Sequence, residues 1–355
     1  MSKVLIAMSG GVDSSVAAYL MKESGEACVG VTMILCNKAE GDHEIPDTCC
    51  NSEDIEDARE VAAKLDIPYH TYDFKGDFKT EVIDRFIDSY ENGLTPNPCV
   101  DCNRFLKFGR LYERAGELGC DHIVTGHYAR IEERDGRMHL RKAADLSKDQ
   151  SYVLYTLSQE QLRHIYLPLG DMSKDHARQV AEANGLVTAH KQDSQDICFV
   201  PDGDYAAAIE RLAGRKYPPG NFIDKEGNVL GRHKGIIRYT LGQRKGLGIA
   251  LGKPAFVIDK SIEDNTVTLG DNKDLFTTEF DVDRTNWIEF EEPPREFRAL
   301  AKVRYHQKEQ WATVYTNQGR DRIHVVFDEP QRAITPGQSA VFYKDDYVIG
   351  GGKIL

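Results

Sequence analysis

Long hydrophobic runs are missing from this chain of 355 residues, although 41% of its residues are hydrophobic. No stretch approaches the ~20 apolar residues of a membrane-spanning helix, and the apolar run after Met1 is too short for a secretory signal. Cysteines number only eight, too few for a secreted scaffold held by disulfides. These absences predict a globular protein of the cytoplasm, with no membrane partner, whose thiols are available for catalysis or metal binding.

Positive charge is also scarce, because 57 acidic residues outnumber 45 lysines and arginines and give a formal net charge of −12. On average such a chain is a poor polyanion binder. Two stretches reverse the balance: residues 227–258 contain no acidic residue, and residues 295–308 contain a single glutamate among several cations. Clustered cations are typical of a localised phosphate-binding face, although a solvated loop surface fits the charge pattern equally well.

The first third of the chain alternates β-type apolar runs with helical patterns, which predicts a parallel sheet with helices on both faces. After residue 200 glycines and prolines punctuate the chain, and short alternating strands follow from about residue 275. We therefore predict an α/β domain over residues 1–200, a small β-rich domain over 201–274 and a C-terminal β-barrel over 275–355. The pair Asp135-Gly136 predicts a β-hairpin within the first domain.

A glycine-rich loop, Ser9-Gly10-Gly11-Val12-Asp13-Ser14-Ser15, separates the first predicted strand from the first predicted helix. Glycines let the backbone approach a ligand, while free helix amides and serine hydroxyls donate to an anion. The loop lacks the Gly-Lys-Ser/Thr ending of a Walker A loop and the G-x-G-x-x-G spacing of a dinucleotide fold, so both assignments drop out. Asp13 repels phosphate, and we expect it to hold Mg²⁺ against the phosphates. The loop resembles the Ser-Gly-Gly-x-Asp-Ser loop of the ATP pyrophosphatases, which cleave ATP between the α and β phosphates.

Two cysteines, Cys99 and Cys102, stand in a proline-bracketed segment ahead of a helix that we expect to follow Cys102. A thiol at a helix N-terminus is stabilised as the thiolate, a better nucleophile and ligand. A zinc site would need a second pair, and Cys49-Cys50 lacks the usual spacing. A thioredoxin-type motif would have to follow the first strand, and Cys99 and Cys102 do not. The remaining possibility is a distant partner, and Cys198, in a strand-like segment after a polar loop, is the candidate.

Six motifs occur in the order found in the tRNA-specific 2-thiouridylases, a family that the chain resembles from residue 4 to residue 352. The motifs are the phosphate loop, Asn97-Pro98-x-x-x-Cys102-Asn103, Thr125-Gly126-His127-Tyr128-Ala129-Arg130, Ser147-Lys148-Asp149-Gln150-Ser151-Tyr152, Ser194-Gln195-Asp196-Ile197-Cys198-Phe199 and Gly242-Gln243-Arg244-Lys245-Gly246-Leu247. The resemblance implies the adenine nucleotide α-hydrolase-like fold, the PP-loop fold of the ATP pyrophosphatases, in the first domain. It also implies conversion of the wobble uridine in the tRNA anticodon to 2-thiouridine.

The chemistry implied by the resemblance has two halves. ATP adenylates the C2 oxygen of the uridine, which turns a poor leaving group into AMP and releases pyrophosphate. A persulfide on Cys198 then supplies sulfur, and Cys102 is the nucleophile that frees sulfide or resolves the adduct as a Cys102–Cys198 disulfide. The implied partners are tRNA and a sulfur-donor protein, either a cysteine desulfurase or a sulfur-relay carrier.

The resemblance also assigns binding residues, with the central domain contacting tRNA. Those expected to hold ATP are Ala7, Met8, Ser9, Gly10, Gly11, Val12, Asp13, Ser14, Met33 and Gly126. Those expected to meet the target base, once it is swung out of the anticodon stack, are Asn97, Pro98 and Cys99. Those expected to touch tRNA are His127, Lys148, Asp149, Gln150, Arg304, Tyr305 and Gln338. Two of these assignments have an alternative without tRNA contact: His127 as a hydrogen-bonded loop histidine, and Tyr305 as an aromatic residue of the core.

Position 99 departs from the best-known form of the family, in which an aspartate is proposed as general acid and base. Cys99 at this position leaves three alternatives. The proton transfer is dispensable, a neighbour such as Asp101 performs it, or the enzyme uses a different mechanism. Cys99, Cys102 and Cys198 are also the three ligands that a [4Fe–4S] cluster with one open iron would need. The persulfide route and the cluster route both stay open at this point. Of the other cysteines, we assign Cys28, Cys36 and Cys120 to core packing and leave Cys49 and Cys50 unassigned.

Two rival functions explain part of the sequence. A small-molecule ligase of the ATP pyrophosphatase type would account for the phosphate loop, but it needs neither Cys102 nor Cys198. A non-catalytic tRNA-binding or iron–sulfur protein would account for the cysteines and the basic stretches, but it does not need an intact phosphate loop.

Overall fold

The computed structural model describes residues 2–36, 52–192, 197–200, 202–316 and 322–355. The α-helices are α1 (Val12–Glu23), α2 (Ser52–Lys64), α3 (Lys75–Phe78), α4 (Arg85–Glu91), α5 (Pro98–Asp101), α6 (Leu111–Glu117), α7 (Gln159–Arg163), α8 (Lys174–Ala183) and α9 (Tyr205–Ala213). Segments of π-helix span Lys79–Asp84 and Cys102–Arg110, and 3₁₀ turns span Ser151–Val153, Ile236–Arg238 and Asn272–Leu275. The strands are β1 (Lys3–Ala7), β2 (Ala27–Ile34), β3 (Tyr69–Asp73), β4 (His122–Val124), β5 (Ala129–Arg134), β6 (Arg137–Lys142), β7 (Ile165–Tyr166), β8 (Gly220–Ile223), β9 (Val229–His233), β10 (Phe256–Ser261), β11 (Thr266–Gly270), β12 (Phe276–Trp287), β13 (Glu296–Lys302), β14 (Gln310–Thr316), β15 (Ile323–Arg332), β16 (Ser339–Lys344) and β17 (Tyr347–Ile354).

The first sheet is parallel throughout, with the strand order β3-β2-β1-β4-β7. Apolar side chains of β1 alternate between its faces, as the two-residue period of a strand requires. Val4 and Ile6 pack with α1, α2 and α8, whereas Leu5 packs on the opposite face with the helices that follow β3. Helices cover both faces, which confirms the predicted α/β class.

The strand order creates a switch point at the middle of this sheet. The chain runs from β1 outward to β2 and β3, and later returns to place β4 on the other side of β1. In doubly wound sheets, ligands bind beyond the carboxyl ends of the strands at such a point. The glycine-rich loop follows β1 and Gly126 follows β4, so the topology brings together two motifs that are far apart in sequence.

The later part of the chain is built from β-structure. A four-stranded sheet has the order β10-β11-β8-β9. The C-terminal strands β12-β15-β14-β13-β16-β17 close into an antiparallel barrel because β17 pairs back with β12, which confirms the predicted barrel. Among the described residues, no helix is long and apolar enough to cross a membrane.

The hairpin predicted at Asp135-Gly136 is confirmed, since β5 and β6 pair on either side of it. Both turn residues have positive φ, 53° and 77°, as a two-residue hairpin turn of the primed type requires. The hairpin joins the barrel sheet through the pairing of Arg141 with Tyr347. A piece of the first 200 residues therefore extends the C-terminal sheet.

The helical segment expected after Cys102 is present over Phe105, Leu106, Phe108 and Leu111, but it already begins at Pro98, because Asn97 caps it and proline suits the first helical position. One local prediction is wrong. Cys198 does not lie in a strand: Ile197 to Val200 form a turn closed by the Val200 amide on the Ile197 carbonyl, 2.8 Å apart. Its apolar neighbour Phe199 is buried between aromatic side chains and anchors the turn.

Candidate active site

A cavity of about 390 Å³ opens beyond the carboxyl edge of the first sheet, and we call it the chamber. Its wall combines the phosphate loop, the end of β2, the start of the α5 helix, the loop after β4 and the turn that carries Cys198. The predicted site residues that line it are Ala7, Met8, Ser9, Gly11, Asp13, Ser14, Met33, Pro98, Cys99, Cys102, Gly126, His127, Gln150 and Cys198. The phosphate loop and all three candidate thiols thus share one space.

The phosphate loop is held in place by its own backbone and serines. Gly10 has a φ of 73°, and a Cβ atom there would lie 2.2 Å from the Asp54 carbonyl oxygen, so only glycine fits. The Ser9 amide donates to Ser14 Oγ at 3.1 Å, and that hydroxyl donates to the Gly11 carbonyl at 3.1 Å. Gly10 and the buried Val12 do not line the chamber, and they support the loop from behind.

Asp13 makes contacts that the sequence did not predict. Its carboxylate accepts from Tyr128 Oη at 2.8 Å and from Lys174 Nζ at 2.8 and 2.9 Å. Lys174 is only 7% exposed, whereas the Asp13 side chain is 34% exposed at the chamber, and the ion pair ties α8 to the start of α1. A Mg²⁺ ion on these oxygens would face the Lys174 ammonium at close range. This arrangement does not fit the expectation that Asp13 holds Mg²⁺.

Gly126 lies directly against the phosphate loop. A Cβ atom at this position would approach the Asp13 carbonyl carbon to 2.7 Å and the Ser14 amide nitrogen to 2.8 Å. The loop after β4 can therefore pack on the start of α1 only if this residue is glycine. The packing explains a glycine here without any ligand, and it also places the backbone of the motif at the chamber wall.

The three thiols differ in their surroundings. Cys99 and Cys198 are exposed, and Cys102 is half-buried. Asn97 Oδ1 accepts from the Cys99 amide at 3.1 Å, so Cys99 lies in the first turn of α5, where the free helix amides are, and Cys102 follows its end. Cys28 and Cys120 are buried as expected and Cys36 is half-buried, while Cys49 and Cys50 lie outside the described residues.

A site for a single metal ion is not assembled by the described residues. Within the described ranges, no three Cys, His, Asp or Glu side chains converge closely enough to hold a metal ion. A [4Fe–4S] cluster binds each thiolate to a different iron, so its ligands stand farther apart, and Cys99, Cys102 and Cys198 line the same chamber.

Matches to family models cover nearly the whole chain. Residues 2–202 match the model described as tRNA methyl transferase HUP domain, residues 208–271 the tRNA methyl transferase PRC-barrel domain, and residues 277–354 the Aminomethyltransferase beta-barrel domain. A Clostridioides difficile protein (strain 630) named tRNA-specific 2-thiouridylase MnmA is 50% identical over 99% of this chain and 98% of its own length. A Clostridium perfringens protein (strain 13) of the same name is 49% identical over the same shares. The chain belongs to the tRNA-specific 2-thiouridylase family.

Two solved structures resemble the chain at lower identity than these relatives. A 4-thiouridine synthetase in complex with RNA and ATP is 17% identical, with a TM-score of 0.39, over 60% of this chain and 50% of that one. The NMN synthetase of Francisella tularensis is 15% identical, with a TM-score of 0.35, over 61% of this chain and 79% of that one. Both similarities are too weak to support an argument about function.

Several residues that the family resemblance assigned to tRNA have partners inside the protein. The Asp149 carboxylate accepts from Ser151 Oγ at 2.8 Å and from the Ala143 amide at 3.0 Å. Tyr305 Oη donates to the Asp149 carbonyl at 3.2 Å. Arg304 donates to Thr335 Oγ1 at 2.7 Å and Gln338 to the Thr95 carbonyl at 2.8 Å, while Lys148 is half-buried. These contacts give the side chains structural roles, whether or not they also meet tRNA.

His127 is buried rather than displayed on a tRNA-facing surface. It is 6% exposed and its Nδ1 lies 2.7 Å from Thr125 Oγ1. Burial lowers the pKa of the imidazole well below its ordinary value, and the nearby Lys107 ammonium lowers it further. The neutral imidazole therefore lies at the wall of the chamber rather than on the outer surface of the protein.

Two site residues assigned from the sequence, Asn97 and Asp101, turn away from the chamber. Both line a second cavity on the other side of the segment 96–102. Asn97 already uses its side-chain oxygen as the cap of α5. Asp101 is half-buried, and burial raises the pKa of its carboxyl. Asp101 is therefore not placed to replace the family's aspartate at position 99.

Lys107 lines the chamber and was missed by the sequence reasoning. It follows Cys102 by five residues, and in an α-helix residues five apart diverge by about 140° around the axis. The segment Cys102–Arg110 is instead a π-helix, whose i→i+5 hydrogen bonds bring residues five apart back to one face. Cys102 and Lys107 therefore face the same space. No residue pattern in the sequence signalled the π-helix.

Proposed function

We propose that this protein is a tRNA 2-thiouridylase that adenylates the C2 oxygen of the wobble uridine with ATP and replaces that oxygen with sulfur. The observation that carries the proposal is the chamber, where the phosphate loop and three thiols line one space. A ligase acting on a small molecule has no use for thiols beside its ATP loop. The products are 2-thiouridine, AMP and pyrophosphate.

The phosphate loop serves the first half of the reaction. Amides at the start of α1 and the hydroxyl of Ser9 donate to the phosphates, while Met33 and Gly126 border the space for the adenine. The uridine C2 oxygen attacks the α-phosphorus and pyrophosphate leaves, so the oxygen becomes part of an AMP leaving group. Mg²⁺ accompanies ATP in most such sites. Because Asp13 pairs with Lys174, we expect the phosphates of ATP, rather than Asp13, to bind the metal ion.

The thiols serve the second half. The terminal sulfur of a Cys198 persulfide attacks C2, the C2–O bond breaks, and AMP leaves. The Cys102 thiolate then attacks Cys198 Sγ, which forms the Cys102–Cys198 disulfide and leaves the electron pair on the uridine sulfur. A proton returns to ring nitrogen N3, and 2-thiouridine results. A thiol reductant reopens the disulfide, and a sulfur-donor protein reloads Cys198, whose exposure permits such an encounter.

A second candidate route runs through a [4Fe–4S] cluster on Cys99, Cys102 and Cys198. It would explain a cysteine where the family has an aspartate. The persulfide route needs only Cys102 and Cys198, whereas the cluster route uses all three thiols of the chamber. Anaerobic purification followed by iron and sulfide analysis tests the choice. Full activity with substoichiometric iron supports the persulfide route, and activity that tracks four irons per chain overturns it.

The proposed function is tested by measuring pyrophosphate release and 2-thiouridine together. With ATP, persulfide and tRNA, we expect pyrophosphate release that depends on tRNA, and 2-thiouridine in the nuclease digest. Cys198→Ala should abolish 2-thiouridine and leave tRNA binding within about threefold, because the thiol contributes sulfur rather than affinity. Cys36→Ala, outside the chamber, is the matched control and should stay active. Pyrophosphate release driven by an amino acid and indifferent to tRNA would refute the proposal.

A further inference from the structure

The second cavity, of about 330 Å³, lies behind the active-site segment. Alternate residues of one segment line the two spaces: Pro98, Cys99 and Cys102 face the chamber, whereas Asn97 and Asp101 face the second cavity. The segment is therefore a thin wall with the thiols on one side. The catalytic domain and the C-terminal barrel both contribute to the far side.

The lining of this cavity is dominated by positive charge. Arg85 and Arg104 come from the helices around the segment, and Arg284 and Lys353 come from the barrel strands β12 and β17. Only two lining residues, Asp88 and Asp101, are acidic. Four cations from distant parts of an acidic chain converge on two carboxylates, an arrangement that is suited to an anion.

Acidic side chains near the cavity pair unevenly with these cations. Arg85 has a partner in Glu81 at 2.8 Å, while Arg284 reaches Asp283 only at 3.9 Å. Burial lowers the pKa of Lys353, and Arg284 lowers it further, against the opposing effect of Asp101, Asp283 and Asp88. Because burial is the largest cause, the ammonium is poorly solvated, and a bound anion would stabilise its charged form.

Arg284 is aimed into the cavity by an irregular strand. The register of β12 against β17 shifts between Asp283 and Asn286, and Arg284 has a φ of 50°. A non-glycine residue in this left-handed conformation is strained, and such strain collects where a side chain must be redirected. The irregular register therefore directs the Arg284 side chain, which is mostly exposed, toward the cavity.

We propose that this cavity binds a phosphate group of the tRNA strand next to the target nucleotide, an inference that rests on the proposed function. When a base is swung into the chamber, the backbone of its strand stays outside the chamber, close to the active-site segment that borders both cavities. Guanidinium groups give phosphate two parallel hydrogen bonds, and an ammonium adds a point charge. The cavity contributes affinity and register on the strand, and the chemistry stays in the chamber.

The test is the affinity of the full-length protein for tRNA at several salt concentrations. The double variant Arg284→Gln/Lys353→Met should raise the Kd about tenfold and reduce the slope of log Kd against log salt by about 0.7 or more. Its control is Arg322→Gln/Lys344→Met, which removes two positive charges from the same barrel away from both cavities and should change Kd less than about threefold. Thiolation by this control at saturating tRNA should stay within about twofold of wild type.

A variant that is expected to bind tRNA more tightly separates the proposal from misfolding, because a misfolded protein would not bind more tightly. Asp88→Asn removes an exposed negative charge from the lining, so it should tighten tRNA binding about two- to threefold. Equal Kd values for both double variants, or no tightening by Asp88→Asn, would overturn the proposal. Inorganic phosphate probes a free anion: if the cavity variants lose phosphate binding and keep the tRNA Kd, the site serves a small anion instead. If wild-type protein makes no 2-thiouridine, the proposed function itself fails.

Discussion

Gly126 shows how one missing Cβ atom positions the phosphate loop. We predict that Gly126→Ala pushes Asp13 and Ser14 away from the chamber, because the new methyl group would lie 2.7 Å from a backbone carbon. The KM for ATP should rise about tenfold or more, and the free energy of unfolding should fall by about 1–3 kcal/mol. Gly116→Ala is the control, because its added Cβ meets nothing within 4 Å. Equal effects of the two changes would contradict this account.

Because His127 is buried, we predict that the stability of the folded protein depends on pH. Its pKa is lowered in the folded protein, so the unfolded chain binds more protons as pH falls below the ordinary value of about 6.5. Stability should therefore be highest above that value and fall with decreasing pH, by up to about 1.4 kcal/mol per pH unit from this group. His127→Gln should flatten the dependence between about pH 5 and 6.5 in urea unfolding. An unchanged slope would show that the imidazole is already charged in the folded state.

At the scale of the element, the helix that carries Cys99 depends on its cap. Asn97→Ala removes the acceptor for the Cys99 amide and should lower the free energy of unfolding by about 1 kcal/mol. Asn97→Asp keeps an acceptor at the same place and should cost much less. Urea unfolding of the three proteins measures the difference. If the aspartate variant loses as much as the alanine variant, the cap does not stabilise this helix.

Elements with a strong local signal could be predicted from the sequence, and those that depend on distant contacts could not. The strand before Ser9 and the hairpin at Asp135-Gly136 follow from periodicity and turn chemistry, and both are present. The Asn97-Pro98 start of α5 had a local signal that was overlooked. The π-helix that turns Lys107 toward Cys102 had none.

The same division applies to the site. The phosphate loop was predictable because its glycines and serines are contiguous. The pairing of Asp13 with Lys174 was not, since α8 lies far along the chain and only the fold brings it to the loop. The inward contacts of Asp149 and Tyr305 are equally invisible in the sequence, where the family resemblance indicated only that these positions matter.

At the scale of the molecule, the barrel holds the active-site segment. The Thr95 amide donates to the Pro336 carbonyl at 2.9 Å, and Gln338 Nε2 donates to the Thr95 carbonyl at 2.8 Å. Gln338→Ala should therefore lower the turnover of thiolation several-fold through the position of Cys99 and Cys102, with the tRNA Kd within about twofold. The family resemblance instead predicts that Gln338 contacts tRNA directly.

Turnover and affinity, measured separately, distinguish these two roles of Gln338. A higher Kd with unchanged turnover at saturating tRNA would show that the side chain binds tRNA directly. Gln331→Ala, on strand β15 of the same barrel and outside both cavities, is the control and should match wild type in both measurements.

The central claim is that sulfur passes from Cys198 to the uridine while Cys102 closes a disulfide. The most direct measurement is a single turnover of protein loaded with persulfide on Cys198, mixed with ATP and tRNA and given no other sulfur source. We predict up to one 2-thiouridine per loaded chain, with a Cys102–Cys198 disulfide appearing in equal amount by peptide mass spectrometry. No 2-thiouridine from the loaded protein, when the same preparation thiolates tRNA from inorganic sulfide, would contradict the account.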